Sequence, residues 1–256
     1  MAKKRFGQHF LSDSNILRRI VQFAEIRQTD TVVEIGPGRG ALTRALAEAA
    51  KQVIAIEIDR DLIATLQKET PSNVTILHAD ALQADFAALS SGSFRIVGNL
   101  PYNVATPLFK RFIQFRSHIT DVTVMIQKEV ADRILAAADD DAYGPLSVLI
   151  QYYAIPVFGF VVRPGSFRPK PKVDSAVIRL EWRAEVKDDT AFTDFVHNVF
   201  GSRRKKLVNN ILNVFPTISR DEALSQLADS GIPADARPEN LSVDDFHRLY
   251  NRTRRH

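Results

Sequence analysis

The stretch Asn99-Leu100-Pro101-Tyr102-Asn103 carries residue types that could hold a planar amine. The Asn99 side chain offers an amide oxygen as acceptor. The Leu100 peptide carbonyl precedes a proline, so it lies in extended chain and offers a second acceptor. Tyr102 gives a flat face on which a base could stack. Two acceptors and a stacking face suit an exocyclic amino group on an adenine ring. The same five residues also read as a plain turn, because Asn, Pro and Tyr are common at strand ends.

Three further polar features share the same setting. Gly36-Pro37-Gly38-Arg39-Gly40 lies between the β-branched run Thr31 to Ile35 and the helix-forming run Ala41 to Ala50. Glycines let a backbone approach a ligand closely, and the helix start behind them offers free amides. The spacing is Gly-x-Gly-x-Gly rather than the Gly-x-Gly-x-x-Gly of dinucleotide folds, which counts against NAD and allows a smaller ligand without a pyrophosphate. Glu57 ends the apolar run Val53 to Ile56, about twenty residues after the loop, where a ribose-binding carboxylate belongs. Its alternative is a solvated acid. Asp80 follows the run Val74 to Leu77, and it either accepts from an adenine amine or caps the next turn. His78 reads as structural, since a lone histidine makes a poor metal site.

These features need a sheet edge to bring them together. Phe94 to Val97 is the fourth such run, and strands recur about every twenty residues with helical patterns between them. That alternation predicts a parallel sheet covered on both faces, with ligands at the strands' carboxyl ends. Helical patterning follows at Thr106 to Phe115, a fifth strand at Asp121 to Gln127, and helices at Lys128 to Ala138 and Leu146 to Tyr153. Ile155 to Val162 and Ser175 to Trp182 are expected as a closing antiparallel pair. From there the pattern is helical, with candidates at Thr190 to Phe200, Arg203 to Phe215, Ser219 to Ser230 and Ser242 to Arg252. The fold class expected is α/β, with one domain over residues 1–185 and a small all-helical domain over 186–256.

Composition narrows the function classes. The 256 residues contain no cysteine, which excludes disulfides and thiolate metal sites and fits a reducing, cytoplasmic setting. No apolar run approaches the length of a membrane span, and the basic start lacks the apolar stretch of a signal peptide. The formal net charge is only +4 although the isoelectric point is about 9.4, so the placement of the cations matters more than their sum. Lys3, Lys4 and Arg5 stand beside Phe6 at the start, as a frayed terminus or as an arm that touches RNA phosphate. Arg168, Lys170 and Lys172 stud a loop with three prolines between residues 164 and 171. In that loop Phe167 either stacks on the far face of a base held by Tyr102 or plugs the core beneath. Arg203-Arg204-Lys205-Lys206 is expected to open a helix, where four cations oppose the helix dipole and so suggest an anionic partner.

Several motifs in order carry a resemblance. Phe6-Gly7-Gln8-His9-Phe10-Leu11, Val33-Glu34-Ile35-Gly36-Pro37-Gly38, Gly98-Asn99-Leu100-Pro101-Tyr102-Asn103, Gln127-Lys128-Glu129-Val130 and Pro171-Lys172-Val173-Asp174-Ser175-Ala176 resemble the KsgA (RsmA) family of small-subunit ribosomal RNA adenine dimethyltransferases. The similarity runs over essentially the whole chain. It implies a Rossmann-like class I methyltransferase fold, a mostly parallel seven-stranded sheet with a closing antiparallel hairpin, plus the helical domain as an RNA- and ribosome-binding module. It implies S-adenosylmethionine as donor, held by His9, Leu11, Gly36, Glu57, Asp80 and Asn99. Family members often carry Asn where this chain has His9. The implied catalytic set is Asn99, Leu100, Pro101 and Tyr102, with Tyr102 and Phe167 stacking on the target base. The implied partner is 16S ribosomal RNA in an immature small subunit, met by a monomer, with no membrane involved. Two rivals stand beside this reading: a 23S ribosomal RNA methyltransferase of the macrolide-resistance type, which usually has Ile at the position of Leu100, and a non-catalytic RNA-binding assembly or transcription factor.

Overall fold

The β-branched runs do form strands, and each strand's carboxyl end delivers one of the polar features. The structure, a computed structural model, describes residues 9–101, 104–184, 186, 190–202 and 205–253. Lys3, Lys4, Arg5, Tyr102, Arg203 and Arg204, all expected to act at the site or on RNA, lie outside the described residues. In chain order the elements are β1 (Phe10–Leu11), α1 (Ser14–Phe23), β2 (Thr31–Ile35), α2 (Ala41–Ala49), β3 (Gln52–Glu57), α3 (Arg60–Glu69), β4 (Val74–His78), β5 (Phe94–Asn99), α4 (Ala105–Gln114), β6 (Ile119–Gln127), α5 (Lys128–Leu135) and α6 (Pro145–Tyr153). They continue with β7 (Ala154–Val162), β8 (Phe167–Arg168), β9 (Ser175–Trp182), α7 (Thr190–Val199), α8 (Leu207–Val214), α9 (Arg220–Asp229) and α10 (Val243–Thr253).

The main sheet has seven strands in the order β4-β3-β2-β5-β6-β9-β7. The β3–β4, β2–β3, β2–β5 and β5–β6 pairs are parallel, and β9 runs antiparallel to β6. The order reverses between β2 and β5, which is the switch point where open α/β sheets bind ligands. At that point β5 passes close to β2: a Cβ on Gly98 would stand 2.8 Å from the Ile35 carbonyl oxygen, so only glycine fits beside β2. A second, two-stranded sheet joins β1 to β8, with Phe10 opposite Arg168 and Leu11 opposite Phe167.

The chain divides into two compact units, residues 1–131 with 155–182, and residues 132–154 with 183–256. The last crossing falls between residues 182 and 183, and residues 132–154 group with the helical unit. Their packing shows why. Tyr143 is 1% exposed and donates its hydroxyl to the Leu241 carbonyl at 2.7 Å. Tyr143 and Val148 join Phe192, Val199, Phe200 and Phe246 in the core of the second unit.

In the first unit, α1 is capped by Asp13, a preferred N-cap residue, whose carboxylate accepts the Asn15 and Ile16 amides at 2.9 and 3.4 Å. The helix buries Leu17 and Ile20 against a core that also contains Val32, Leu46, Val97 and Val177. Two strand arginines receive its far end. Arg95 donates to the Ala24 and Glu25 carbonyls at 2.8 and 2.7 Å, and Arg179 donates to the Phe23 carbonyl at 3.1 Å. Arg95 also holds the Asp121 carboxylate at 2.5 Å, with the Asp121 side chain 8% exposed.

Removing one partner of such a pair strands the other charge in a poorly solvated site. Arg95→Met is expected to destabilise the first unit by roughly 3 kcal/mol, within the range for broken buried pairs. Adding Asp121→Asn is expected to restore about half of that. A urea-denaturation double-mutant cycle checks both values; additive effects would mean that the pair is not coupled.

Candidate active site

The carboxyl ends of β2, β3 and β5, with the turn after β4, open on one cavity. It is lined by Glu34, Gly36, Gly38, Glu57, Asp80, Asn99, Leu100 and Pro101, with His9, Phe10 and Leu11 along one side. The structure therefore brings together Gly36, Glu57, Asp80 and Asn99, the four strand-end features of the sequence, and adds His9 and Leu11 from the first strand.

Glu57 is the best-fixed group. It is 3% exposed, and its two oxygens accept the Gly38 amide at 3.0 Å and the Asp59 amide at 2.8 Å. Burial pushes its carboxyl above the ordinary range, and the backbone amides of Asp59, Gly38 and Ile58 oppose that shift. A carboxylate has about four acceptor sites, so these bonds leave room for the two hydroxyls of a ribose. Gly38 holds its amide in place with a left-handed φ of +60°, and a Cβ there would stand 2.9 Å from the Phe10 ring. Of the two readings of Asp80, the structure shows the cap. Its Oδ1 caps the following turn by accepting the Leu82 amide at 2.9 Å, while the residue also lines the cavity.

Asn99 ends β5, and its Nδ2 donates to the His9 main-chain carbonyl at 3.1 Å. Leu100 is 1% exposed and its amide donates to the Met125 carbonyl at 3.0 Å, which fixes the peptide that follows Asn99. The Pro101 carbonyl accepts the Val104 amide at 3.1 Å and keeps one lone pair. In the His9 ring, Nδ1 donates to the Pro169 carbonyl at 2.8 Å.

Two expectations change. Phe167 does not face the cavity: it is 1% exposed and packs in the core with Leu11, Leu17 and Val177, so the stacking role is withdrawn. Pairing of β8 with β1 turns its ring inward, just after a short helical turn over Pro164–Ser166. The described part of the cation run does not lie in a helix either. Lys205 and Lys206 are exposed and precede α8, which starts at Leu207; Lys206 is its N-cap, so the charge still faces the positive end of the helix dipole. Arg168, Lys170 and Lys172 are exposed as expected.

The sequence pattern did not single out Glu34. It is 1% exposed, lines the cavity, and burial, helped by the nearby Glu57 charge, pushes its carboxyl up to about 8. The Thr43 side chain beside it opposes the shift, yet Glu34 Oε2 and Thr43 Oγ1 are both buried without a hydrogen-bond partner. The available signal was a lone acid inside a run of buried β-branched residues.

Comparison with known proteins bears on what the cavity holds. The family model described as "Ribosomal RNA adenine dimethylase" matches residues 1–255. The chain belongs to that family. Proteins named "Ribosomal RNA small subunit methyltransferase A" resemble this dimethylase closely: the one from Clostridium botulinum (strain Kyoto / Type A2) is 42% identical over 96% of this chain and 92% of its own length. The one from Xanthomonas campestris pv. campestris (strain B100) is 43% identical over 98% of this chain and 95% of its own. Among solved structures, a dimethyladenosine transferase from Plasmodium falciparum matches with a TM-score of 0.81 at 26% identity, over 96% of this chain and 98% of that one. The 23S rRNA methyltransferase ErmE matches with a TM-score of 0.73 at 28% identity, over 96% and 99%.

This dimethylase is an S-adenosylmethionine-dependent methyltransferase, and its cavity fits that donor. Three acids, Glu34, Glu57 and Asp80, line it and offer acceptor oxygens to a ligand that carries hydroxyl and amino groups.

Glu34 gives the cofactor-free protein a pH signature. Its folded-state pKa of about 8 lies above the ordinary 4.5, so its contribution to folding is complete below pH 4.5 and is lost as pH rises towards 8. Glu34→Gln removes that slope. Relative to the parent protein, the variant is expected to gain stability from pH 5 to pH 8.5, by up to about 4 kcal/mol on the scale of 1.36 kcal/mol per pKa unit. Thermal unfolding of both proteins across that range measures the gain; parallel curves would mean that Glu34 is ionised throughout.

Proposed function

We propose that this chain transfers two methyl groups to N6 of each of two adjacent adenines in the loop of the 3'-terminal hairpin of 16S ribosomal RNA. It acts as a cytoplasmic monomer on an immature small subunit. The observation that carries the reading is Asn99: an amide at the switch point of the sheet, on the cavity wall, with its Nδ2 already committed to the His9 carbonyl. The small-subunit assignment is supported by the names of relatives about 42% identical along nearly the whole chain, against 28% for the 23S enzyme.

The chemistry asks for position rather than for a strong base. An adenine N6 lone pair is delocalised into the ring and is a poor nucleophile. Asn99 Oδ1 and the Leu100 or Pro101 carbonyl accept the two amino hydrogens, which favours a tetrahedral nitrogen with its lone pair free. Bound donor supplies the electrophilic methyl group. Glu57 holds the ribose, Asp80 the adenine amine, and His9 and Leu11 contact the donor through their main chain. Positioning and electrostatics then carry the rate, and the proton leaves N6 after transfer. The target adenine must be unstacked, at a few kcal/mol, which is easiest in a loop. Tyr102 offers a stacking face worth about 1–3 kcal/mol per base.

Labelled S-adenosylmethionine tests this on immature small subunits, large subunits and a non-ribosomal RNA. Label on adenine N6 in small subunits alone is expected. Label on 23S RNA would move the chain to the other activity, and binding without label would make it an assembly factor. In the same assay Asn99→Ala is expected to lower turnover at least a hundredfold while RNA affinity stays within about twofold, as for other polar groups aimed at a transition state.

The exposed cations carry the RNA contact in this reading. Replacing Arg203, Arg204, Lys205 and Lys206 by Gln is expected to weaken subunit binding and to flatten its salt dependence, by up to about 0.7–0.9 in log–log slope for each phosphate that is no longer neutralised. An unchanged slope in filter binding between about 50 and 200 mM salt would place the RNA surface elsewhere.

A further inference from the structure

The segment from His9 to Asp13 forms a strap along one side of the cavity, which His9, Phe10 and Leu11 line. Phe10 and Leu11 pair with Arg168 and Phe167, and the Ser12 amide donates to the Ser166 carbonyl at 3.0 Å. Leu11 is 7% exposed and belongs to the core. Phe10 lies over the glycine loop, in the space that a Gly38 side chain would occupy. Its outer face is covered by Arg39, whose guanidinium carbon stands 4.8 Å from the ring centroid. Arg39 is itself exposed. The strap meets the Asn99 side chain through the hydrogen bond to the His9 carbonyl.

That bond settles the orientation of an amide that otherwise has two. The NH2 and oxygen ends of Asn are nearly the same size, and only partners distinguish them. A carbonyl can only accept, so His9 selects Nδ2 and leaves Oδ1 on the opposite branch of the planar group. Turned the other way, Asn99 would present a donor to the adenine amine, which needs an acceptor.

We propose that Phe10 and Arg39 are positioning residues for methyl transfer: their stacked contact over the glycine loop holds the His9 carbonyl where it orients Asn99. The inference rests on the reading of Asn99 as acceptor for the target amine. It extends function to Arg39, which touches neither the reacting nitrogen nor the amide it controls. The glycine loop thereby serves the acceptor side of the reaction as well as the donor side.

The test compares Arg39→Met, Arg39→Lys, Phe10→Ala and Phe10→Trp with the parent protein on small subunits. Arg39→Met keeps an unbranched, flexible apolar stem and removes the cation. An exposed cation–π contact accounts for about a twofold to fivefold change in an equilibrium. Arg39→Met is therefore expected to lower kcat at saturating donor by that factor, and Phe10→Ala by about tenfold or more. Arg39→Lys and Phe10→Trp, which keep a cation over a ring, are expected to retain most of it. RNA affinity is unchanged in all four. Without donor or RNA, amide hydrogen exchange at Ser12, whose amide donates to the Ser166 carbonyl, should quicken in Arg39→Met and Phe10→Ala and not in the conservative pair. Unchanged kcat in Phe10→Ala overturns the proposal. A rise in donor KM alone also overturns it, since the strap would then be only a cover for the donor. Asn99→Ala, run in parallel, separates the two levels: full turnover there removes the reading of Asn99 itself, whereas a dead Asn99→Ala beside an unimpaired Phe10→Ala removes only the strap's role.

Discussion

The Glu57 carboxylate ties the site together. A buried acid must be met by donors, and here the donors are main-chain amides of the glycine loop and of the turn after β3. The bond from Gly38 joins the ends of two neighbouring strands, so the loop cannot drift from the sheet without stranding a charge. The loop in turn seats Phe10, and the segment bearing Phe10 holds Asn99. Donor side and acceptor side are thus linked by a short series of contacts, each of which needs the one before it.

Much of this was legible in the sequence because parallel sheets impose a rule. Their strands are buried on both faces, so they read as apolar runs, and a polar residue at the carboxyl end of such a run stands out. Gly36, Glu57, Asp80 and Asn99 were found that way. Contacts between distant segments were not legible. The β1–β8 pair joins two-residue strands more than 150 positions apart, too short for any periodicity to register. Phe167 shows the consequence: without the pairing, its exposure could not be read, and both a stacking face and a core plug fitted the same loop. Glu34 was hidden for the opposite reason. It lies inside a strand whose apolar character is so regular that one acid reads as a part of the pattern.

The helical unit makes a similar point about boundaries. A shift in patterning after Trp182 marks one crossing of the chain, because composition changes there. Residues 132–154 carry no such mark. What assigns them is the partner of each buried group, such as the Tyr143 hydroxyl on the Leu241 carbonyl, 98 positions away. Local pattern gives elements; long-range partners decide which core an element joins.

The acids of the cavity also bear on turnover. Dimethylation of two bases consumes four donors, so spent donor must leave between transfers. Methyl transfer removes the sulfonium charge, and what remains is less cationic than what entered. Glu34, Glu57 and Asp80 stay where they are. Acceptor oxygens fixed in this way bind the more cationic incoming species more tightly than the outgoing one, and differential affinity of that kind drives exchange without any conformational change. Glu34 stands apart: with its carboxyl pushed up to about 8 by burial, it is largely protonated in the empty cavity at neutral pH, and a cation nearby would favour its ionised form.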